Sequence, residues 1–443
     1  MIELTVISLF IILLLAYFTM GRNLSRPTIL YVGGFFICST VAWSWKDEWG
    51  LETMSPITAF IIIGGALMFY IVEWLDYMRS KSYNMPLIDI SSQNFFYVIS
   101  PIKLFLILIF QVFSLAIYAR AKMSFAGSDD LVYALGAIDQ EAKFENVVIK
   151  LPAYASFLYN ICLATIPIWC YLLPYYISKA SNQYKFQILL LYANLIVIFI
   201  GGLLTGGRTI LLRILITYAF CWYLCYQNKN RWKATFLPSK MIVILTSLTV
   251  LFVSFFGNIG DSLGRKENNK DISMLFAIYC GAQIKNLDDY IVSPFEQDNN
   301  SGRFAQYTMC GMYDKIDQRL FSSDIGRKNH PNLVFNNYDG YPLGNVYTTY
   351  YNFLLDFGCV GTIFVTGIMS LITVYFYRKT IMSRFWQNGK LSIIMLFFGS
   401  HFPNACFQSF FANKMFEAIT ISGLLRDFFI WCCLLFFCMK LTL

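Results

Sequence analysis

Repeated runs of about 20 apolar residues constrain this chain more than any other feature, because a helix of that length crosses the hydrocarbon core of a bilayer. About eleven such runs lie near 3–20, 28–45, 56–75, 99–119, 152–177, 187–204, 209–226, 241–259, 347–377, 391–411 and 416–439. They are continuous rather than alternating, which argues against a barrel and leaves the helix as the way to satisfy every backbone group in lipid. With 57% hydrophobic and 14% charged residues over 443 positions, the chain lacks the polar residues to cover a soluble surface. The expected fold is an all-α polytopic membrane protein of about eleven transmembrane helices with one large extracytoplasmic loop. Its expected divisions are an N-terminal bundle over 1–259, the loop over 260–346 and C-terminal helices over 347–443.

Lys and Arg in short connections mark the cytoplasmic side. Arg22 and Arg26, then Arg79 and Lys81, then Lys179 and Lys185, then Lys229, Arg231, Lys233 and Lys240, then Arg378, Lys379, Arg384 and Lys390 occupy every second connection. This alternation predicts an outside N-terminus and a cytoplasmic C-terminus, with 120–151 and 260–346 outside. The start, Met1-Ile2-Glu3-Leu4, lacks a basic stretch, so the first span reads as a retained helix rather than a signal peptide.

The net charge of +8 is accounted for by these loops, and no zinc-finger spacing, base-stacking motif or long basic run points to nucleic acid. The twelve Cys lie mainly in apolar spans, where a thiol behaves as a small hydrophobe. Cys280 and Cys310 share the long loop, where a disulfide between them is one option. No Cys/His cluster has metal spacing and the chain holds 2 His, so neither a metal nor a cofactor is expected. Internal repeats are not visible, which counts against a transporter built from two related halves.

Three regions on the predicted outer face carry polar chemistry. In Gly201-Gly202-Leu203-Leu204-Thr205-Gly206-Gly207-Arg208-Thr209, glycines would allow close backbone approach and Arg208 could grip a phosphate with two donors. The alternative there is a small-residue helix contact with Arg208 reaching to headgroups. The second region, 260–346, is too long for a connector, and its apolar spacing over 271–290 predicts a helix lying along the membrane surface. It holds Arg265, Lys266, Lys285, Arg303, Arg319, Arg327, Lys328 and His330, with Arg303 in a glycine-hinged cluster. The third region is the strip Gly340–Gly361, where Asn345, Asn352 and Asp356 are spaced by seven and four, as on one helix face. Asp356 is read either as catalytic or as paired with a buried base such as Arg213 or Arg426. Arg426 and Asp427 form an adjacent charge pair in the last span, and His401 is read as packed and hydrogen-bonded rather than as a base.

Three segments in order, Thr205-Gly206-Gly207-Arg208-Thr209, Tyr279 to Asp288, and Gly344 to Thr348 with Asp356 to Gly361, resemble bacterial oligosaccharide repeat-unit polymerases, the Wzy-type O-antigen and capsule polymerases. The chain departs from that pattern in having no basic residue near Tyr350 and Tyr351. The resemblance implies an inverting membrane glycosyltransferase of the GT-C type in a bacterial cytoplasmic membrane, joining undecaprenyl-diphosphate-linked oligosaccharides in lipopolysaccharide, capsule or exopolysaccharide synthesis. It would need no cofactor, and a chain-length-regulating copolymerase is a possible partner. On that reading Arg208, Arg303 and Asp356 are the catalytic candidates, and Arg265, Lys285, Asn345, Tyr347 and His330 contact substrate. The base candidates are Asp261, Asp288, Asp289, His330 and Asp356, and Tyr307, Tyr338, Tyr341 and Tyr347 would stack on sugars. The alternatives are an O-antigen ligase and a polysaccharide flippase or other secondary transporter.

Overall fold

The structure is a computed structural model that describes residues 1–82, 97–144, 151–179, 184–204, 209–230, 239, 243, 247, 272–297, 302–321, 329–382, 401–418 and 421–441. The protein is an all-α polytopic membrane protein in which eight helices among the described residues are long and apolar enough to cross a membrane. The predicted eighth span at 241–259 and the first part of the tenth fall largely outside the described residues.

In chain order the helices are α1 (Ile2–Thr19), α2 (Pro27–Ser44), α3 (Pro56–Ser82), α4 (Pro101–Ala126) and α5 (Leu131–Phe144). Next come α6 (Ala153–Ala164), α7 (Ile166–Lys179), α8 (Lys185–Leu203) and α9 (Thr209–Lys229). After these lie α10 (Ile272–Cys280), α11 (Ala282–Val292), α12 (Cys310–Phe321), α13 (Thr349–Met382), α14 (Lys414–Ala418) and α15 (Ile421–Cys438). Short strands β1 (Tyr97–Ile99) and β4 (Met439–Leu441) pair antiparallel, as do β2 (Asn336–Tyr338) and β3 (Tyr341–Gly344), the latter pair with a register shift after Asn336. Pro27, Pro56 and Pro101 each open a helix, where the missing N–H removes no bond.

The chain divides into two compact units that cut across its order. One comprises Met1–Pro86, Lys270–Met382 and Phe402–Ile421, and the other Leu87–Asn269, Ser383–His401 and Ser422–Leu443. In the first, α3 packs on α13 and α1 on α2, while α10 and α11 lie against α2. Leu4, Ile7, Phe10 and Phe18 of α1 stay exposed, an apolar flank suited to lipid. The buried face of α13 is instead lined with Thr362, Thr366, Ser370 and Thr373. The three threonines donate back to carbonyls four residues earlier, which keeps their hydroxyls satisfied inside the bundle.

Glycines break two helices that hydropathy reads as continuous. The surface helix expected over 271–290 turns a corner at Gly281, where a Cβ would come within 2.9 Å of the Ala42 nitrogen on α2. Within α13, Gly358 adopts φ 65° and ψ −174°, a conformation open to glycine, so the helix kinks there.

In the second unit α4 packs on α5, α6 and α8, and α7 on α8 and α9. Added Cβ atoms at Gly201 and Gly202 would meet Leu115 and Leu211 at 2.9 Å, so these two glycines serve close helix packing. His401 Nδ1 lies 3.4 Å from Arg213 Nη2 in the same unit, and Arg426 is bonded to its neighbour Asp427.

Candidate functional site

The polar residues of the long loop gather in the first unit. Asp314 and Asp317 sit three apart on α12 and so share a face. Arg303 Nη1 donates to both oxygens of Asp317, at 2.9 and 2.8 Å. His330 Nε2 lies 2.7 Å from Asp314 Oδ2, and buried Asn329 bridges the pairs by donating to Asp314 Oδ1 and Asp317 Oδ2 at 2.9 Å each. The two cationic side chains are each 35% exposed, whereas Asp317 is 5% and Asp314 19% exposed. The carboxylates therefore form a floor and the positive groups face outward.

Hydrogen bonds from Arg303 and then Asn329 hold the Asp317 carboxyl below the usual range. For His330, burial opposes the charge, but hydrogen bonds to Asp314 and Cys310 outweigh it and lift the pKa to about 10. At neutral pH His330 is thus an imidazolium beside a guanidinium, suited to gripping an anion and unsuited to accepting a proton.

In a second cluster the cation is the buried partner. Lys285 Nζ is 2.7 Å from Asp289 Oδ1 and 4.3 Å from the Tyr338 ring centroid, with its side chain buried. Asn336 on β2 donates to Asp289 Oδ2 at 2.6 Å and to Asn286 Oδ1 at 3.0 Å, and Asn286 donates to the Val346 carbonyl at 2.9 Å. These bonds fasten the hairpin to α11, and Lys285, read from the sequence as a substrate contact, is buried and paired with Asp289, whose carboxylate is 36% exposed. The neighbouring Asp288 Oδ1 accepts from the Ser55 N–H at 2.9 Å and from the Thr58 hydroxyl at the start of α3. Burial pushes the Asp288 carboxyl up, and these hydrogen bonds oppose the rise.

Asp356 reaches from α13 to the turn ahead of α12. Its Oδ1 accepts from Tyr307 N at 3.1 Å and its Oδ2 from Thr308 N at 2.6 Å. Asn352 donates to the Tyr307 carbonyl at 2.7 Å, and Asn413 to the Thr308 carbonyl at 3.0 Å. Asp356 is thus bonded to backbone rather than to a buried base.

Several sequence readings are corrected. Asn345 precedes α13, which begins at Thr349, so it does not share a helix face with Asn352 and Asp356; it stands half-buried at the end of the hairpin. Tyr347 is buried, stacked on Tyr351 at 4.5 Å and bonded to the Val334 carbonyl, because this aromatic cluster is the core under the loop rather than a sugar platform. Tyr307 is buried as well, while Tyr338 and Tyr341 keep partial exposure. Cys280 and Cys310 carry free thiols. Arg208, Arg265 and Asp261 lie outside the described residues.

Sequence reasoning missed Asp314, Asp317, Asn329 and Asn413. The i,i+3 acid spacing on a polar helix was the available signal for the first two. Among the described residues, no group of three or more His, Cys, Asp or Glu is arranged to hold a metal ion. No protein-family model matches the chain, and no curated protein or solved structure matches it.

Proposed function

We propose that this chain polymerises undecaprenyl-diphosphate-linked oligosaccharide repeat units by glycosyl transfer with inversion, at the outer face of a bacterial cytoplasmic membrane. The observation that carries the reading is the outward pair Arg303 and His330 on its floor of Asp314 and Asp317. As the acceptor hydroxyl attacks the anomeric carbon, the bond to the diphosphate breaks and negative charge builds on the leaving oxygens. Fixed cations aimed at that charge lower the barrier. The floor holds both groups in place before substrate arrives, so less ordering accompanies binding.

The reaction also needs a base for the acceptor hydroxyl. Asp288 and Asp356 are engaged by backbone donors, Asp289 by Lys285 and Asn336, and His330 is protonated. Asp261, the fifth candidate, lies outside the described residues.

The test is glycan length on a gel from cells deleted for the gene and complemented with wild type, Arg303→Ala or Arg208→Ala. Collapse from a ladder to single repeat units in the deletion and in Arg303→Ala is the expected result. Loss of all surface-linked glycan favours a ligase or flippase, and an unchanged ladder in the deletion overturns the proposal.

A further inference from the structure

We infer that Asp356, Asn352 and Asn413 are positioning residues that fix the turn 303–309 and, through it, set the placement of Arg303 and the carboxylate floor; the inference rests on the polymerase reading. The turn lies between the two parts of the cation site. Arg303 stands at its start, and α12, with Asp314 and Asp317, leaves its end at Cys310. Its backbone is unusual: Gly302 has φ 69° and Ala305, which is not glycine, has φ 53°. A left-handed alanine persists where its surroundings over-determine the backbone.

The Ala305 carbonyl accepts from the Met309 N–H at 2.9 Å, and three side chains hold the residues between them. The N–H groups of Tyr307 and Thr308 converge on the two oxygens of Asp356, as successive backbone donors in a turn converge on an anion. Asn352 takes the carbonyl of Tyr307 and Asn413 that of Thr308, so both residues are held at N–H and C=O and the peptide unit between them is held on both sides. The contacts come from α13 and from the residue preceding α14, and Asn413 is itself tied to the Phe416 N–H. Each oxygen of the Asp356 carboxylate accepts one backbone N–H, which fits positioning. Asp356→Asn is the sharp probe, since an amide offers one acceptor oxygen and turns an NH2 group toward the second N–H.

The experiment measures kcat/KM with lipid-diphosphate-linked repeat units for Asp356→Asn and Asn413→Ala, each in the wild-type and the Arg303→Ala background, with hydrogen exchange of the 304–309 amides on the full chain in lipid. The expected loss is roughly tenfold or more in the wild-type background and less than about twofold once Arg303 is gone, because the clamp acts through that residue. Exchange at Tyr307 and Thr308 should rise while the rest of α13 stays protected. Equal losses in both backgrounds, as general destabilisation would give, overturn the inference. Faster exchange with unchanged kcat/KM overturns it as well. A wild-type chain that transfers no repeat unit overturns the polymerase reading and the inference with it, and the wild-type reaction alone identifies that case.

Discussion

The first unit carries ion pairs at both ends of its long helices, and the two ends use them differently. At the far end, Arg26 binds Glu73 at 3.0 Å with side chains only 13% and 2% exposed, and the second Glu73 oxygen accepts from the Thr28 N–H at the start of α2. At the loop end, Arg303 and His330 reach solvent while their carboxylates lie beneath. The same pairing of opposite charges thus makes a closed fastening in one place and a presented cation in the other. The acid is the more buried partner at both ends; what separates them is how far the cation reaches solvent, 13% for Arg26 against 35% for Arg303 and His330, and that exposure decides whether breaking the pair harms the fold alone or the chemistry as well.

The largest effect tests the closed end. Glu73→Ala leaves Arg26 half-enclosed and the Thr28 N–H without its acceptor, and removing one member of a buried pair costs about 3–5 kcal/mol. Thermal unfolding in lipid nanodiscs should show a large drop in Tm or a loss of folded protein. An unchanged Tm would erase the distinction drawn between the two ends.

At the open end the balance reverses. Arg303→Ala should lower polymerisation on the order of a hundredfold, the scale for losing a fixed group that stabilises developing charge, and should lower Tm by less than Glu73→Ala, because the stranded Asp317 carboxylate keeps its hydrogen bond from Asn329. Arg303→Lys should recover part of the rate, since it keeps the charge without the planar two-donor fork. A Tm loss matching that of Glu73→Ala would make the open end a fastening too.

Asp288 lies between these extremes, a buried carboxylate with no role in presenting charge. Asp288→Ala strands the Ser55 N–H and the Thr58 hydroxyl, at a cost of about 1–3 kcal/mol. Asp288→Asn keeps an acceptor oxygen and should cost less, as read by denaturant midpoints. If both variants lose equally, charge rather than hydrogen bonding ties α11 to α3.

The closed end was the more legible of the two. Hydropathy located α1, α2, α8 and α9 and the starts of α3, α4 and α13 within a few residues, because lipid demands one length and one backbone solution, but it ended α3, α4 and α13 early. The positive loops placed Arg26 and Arg378 on one side, and both bind acids of α3, Glu73 and Asp76. The breaks at Gly281 and Gly358 were not readable, since a glycine in an apolar run looks the same whether it packs, kinks or does neither. Arg303 stood out in its glycine-hinged setting, but its partners come from α12 and from Asn329, contacts that depend on tertiary folding. Asp356 was recognised as a polar group at membrane depth, yet its partners are backbone N–H groups, which no side-chain pattern reveals. Tyr347 was misplaced because an aromatic residue in a polar loop reads as a platform until packing shows it to be core.

The smallest effect concerns His330 and has a definite sign. Its folded pKa of about 10 lies above the ordinary histidine value of about 6.5, so the folded protein binds the proton more tightly than the unfolded chain. The stabilisation is complete below about pH 6.5, declines as pH rises, and is lost once pH passes about 10. Because the ring is 35% exposed, solvent screens part of the interaction and the change in Tm should be small. The measurable quantity is the Tm difference between wild type and His330→Gln, which should be greatest near pH 6 and shrink toward pH 10. The Arg26–Glu73 fastening contains no histidine, so the difference between wild type and Glu73→Ala should stay level over the same range. A His330 difference that also stays level would mean Asp314 does not hold the imidazolium, leaving Arg303 as the one presented cation of the pair.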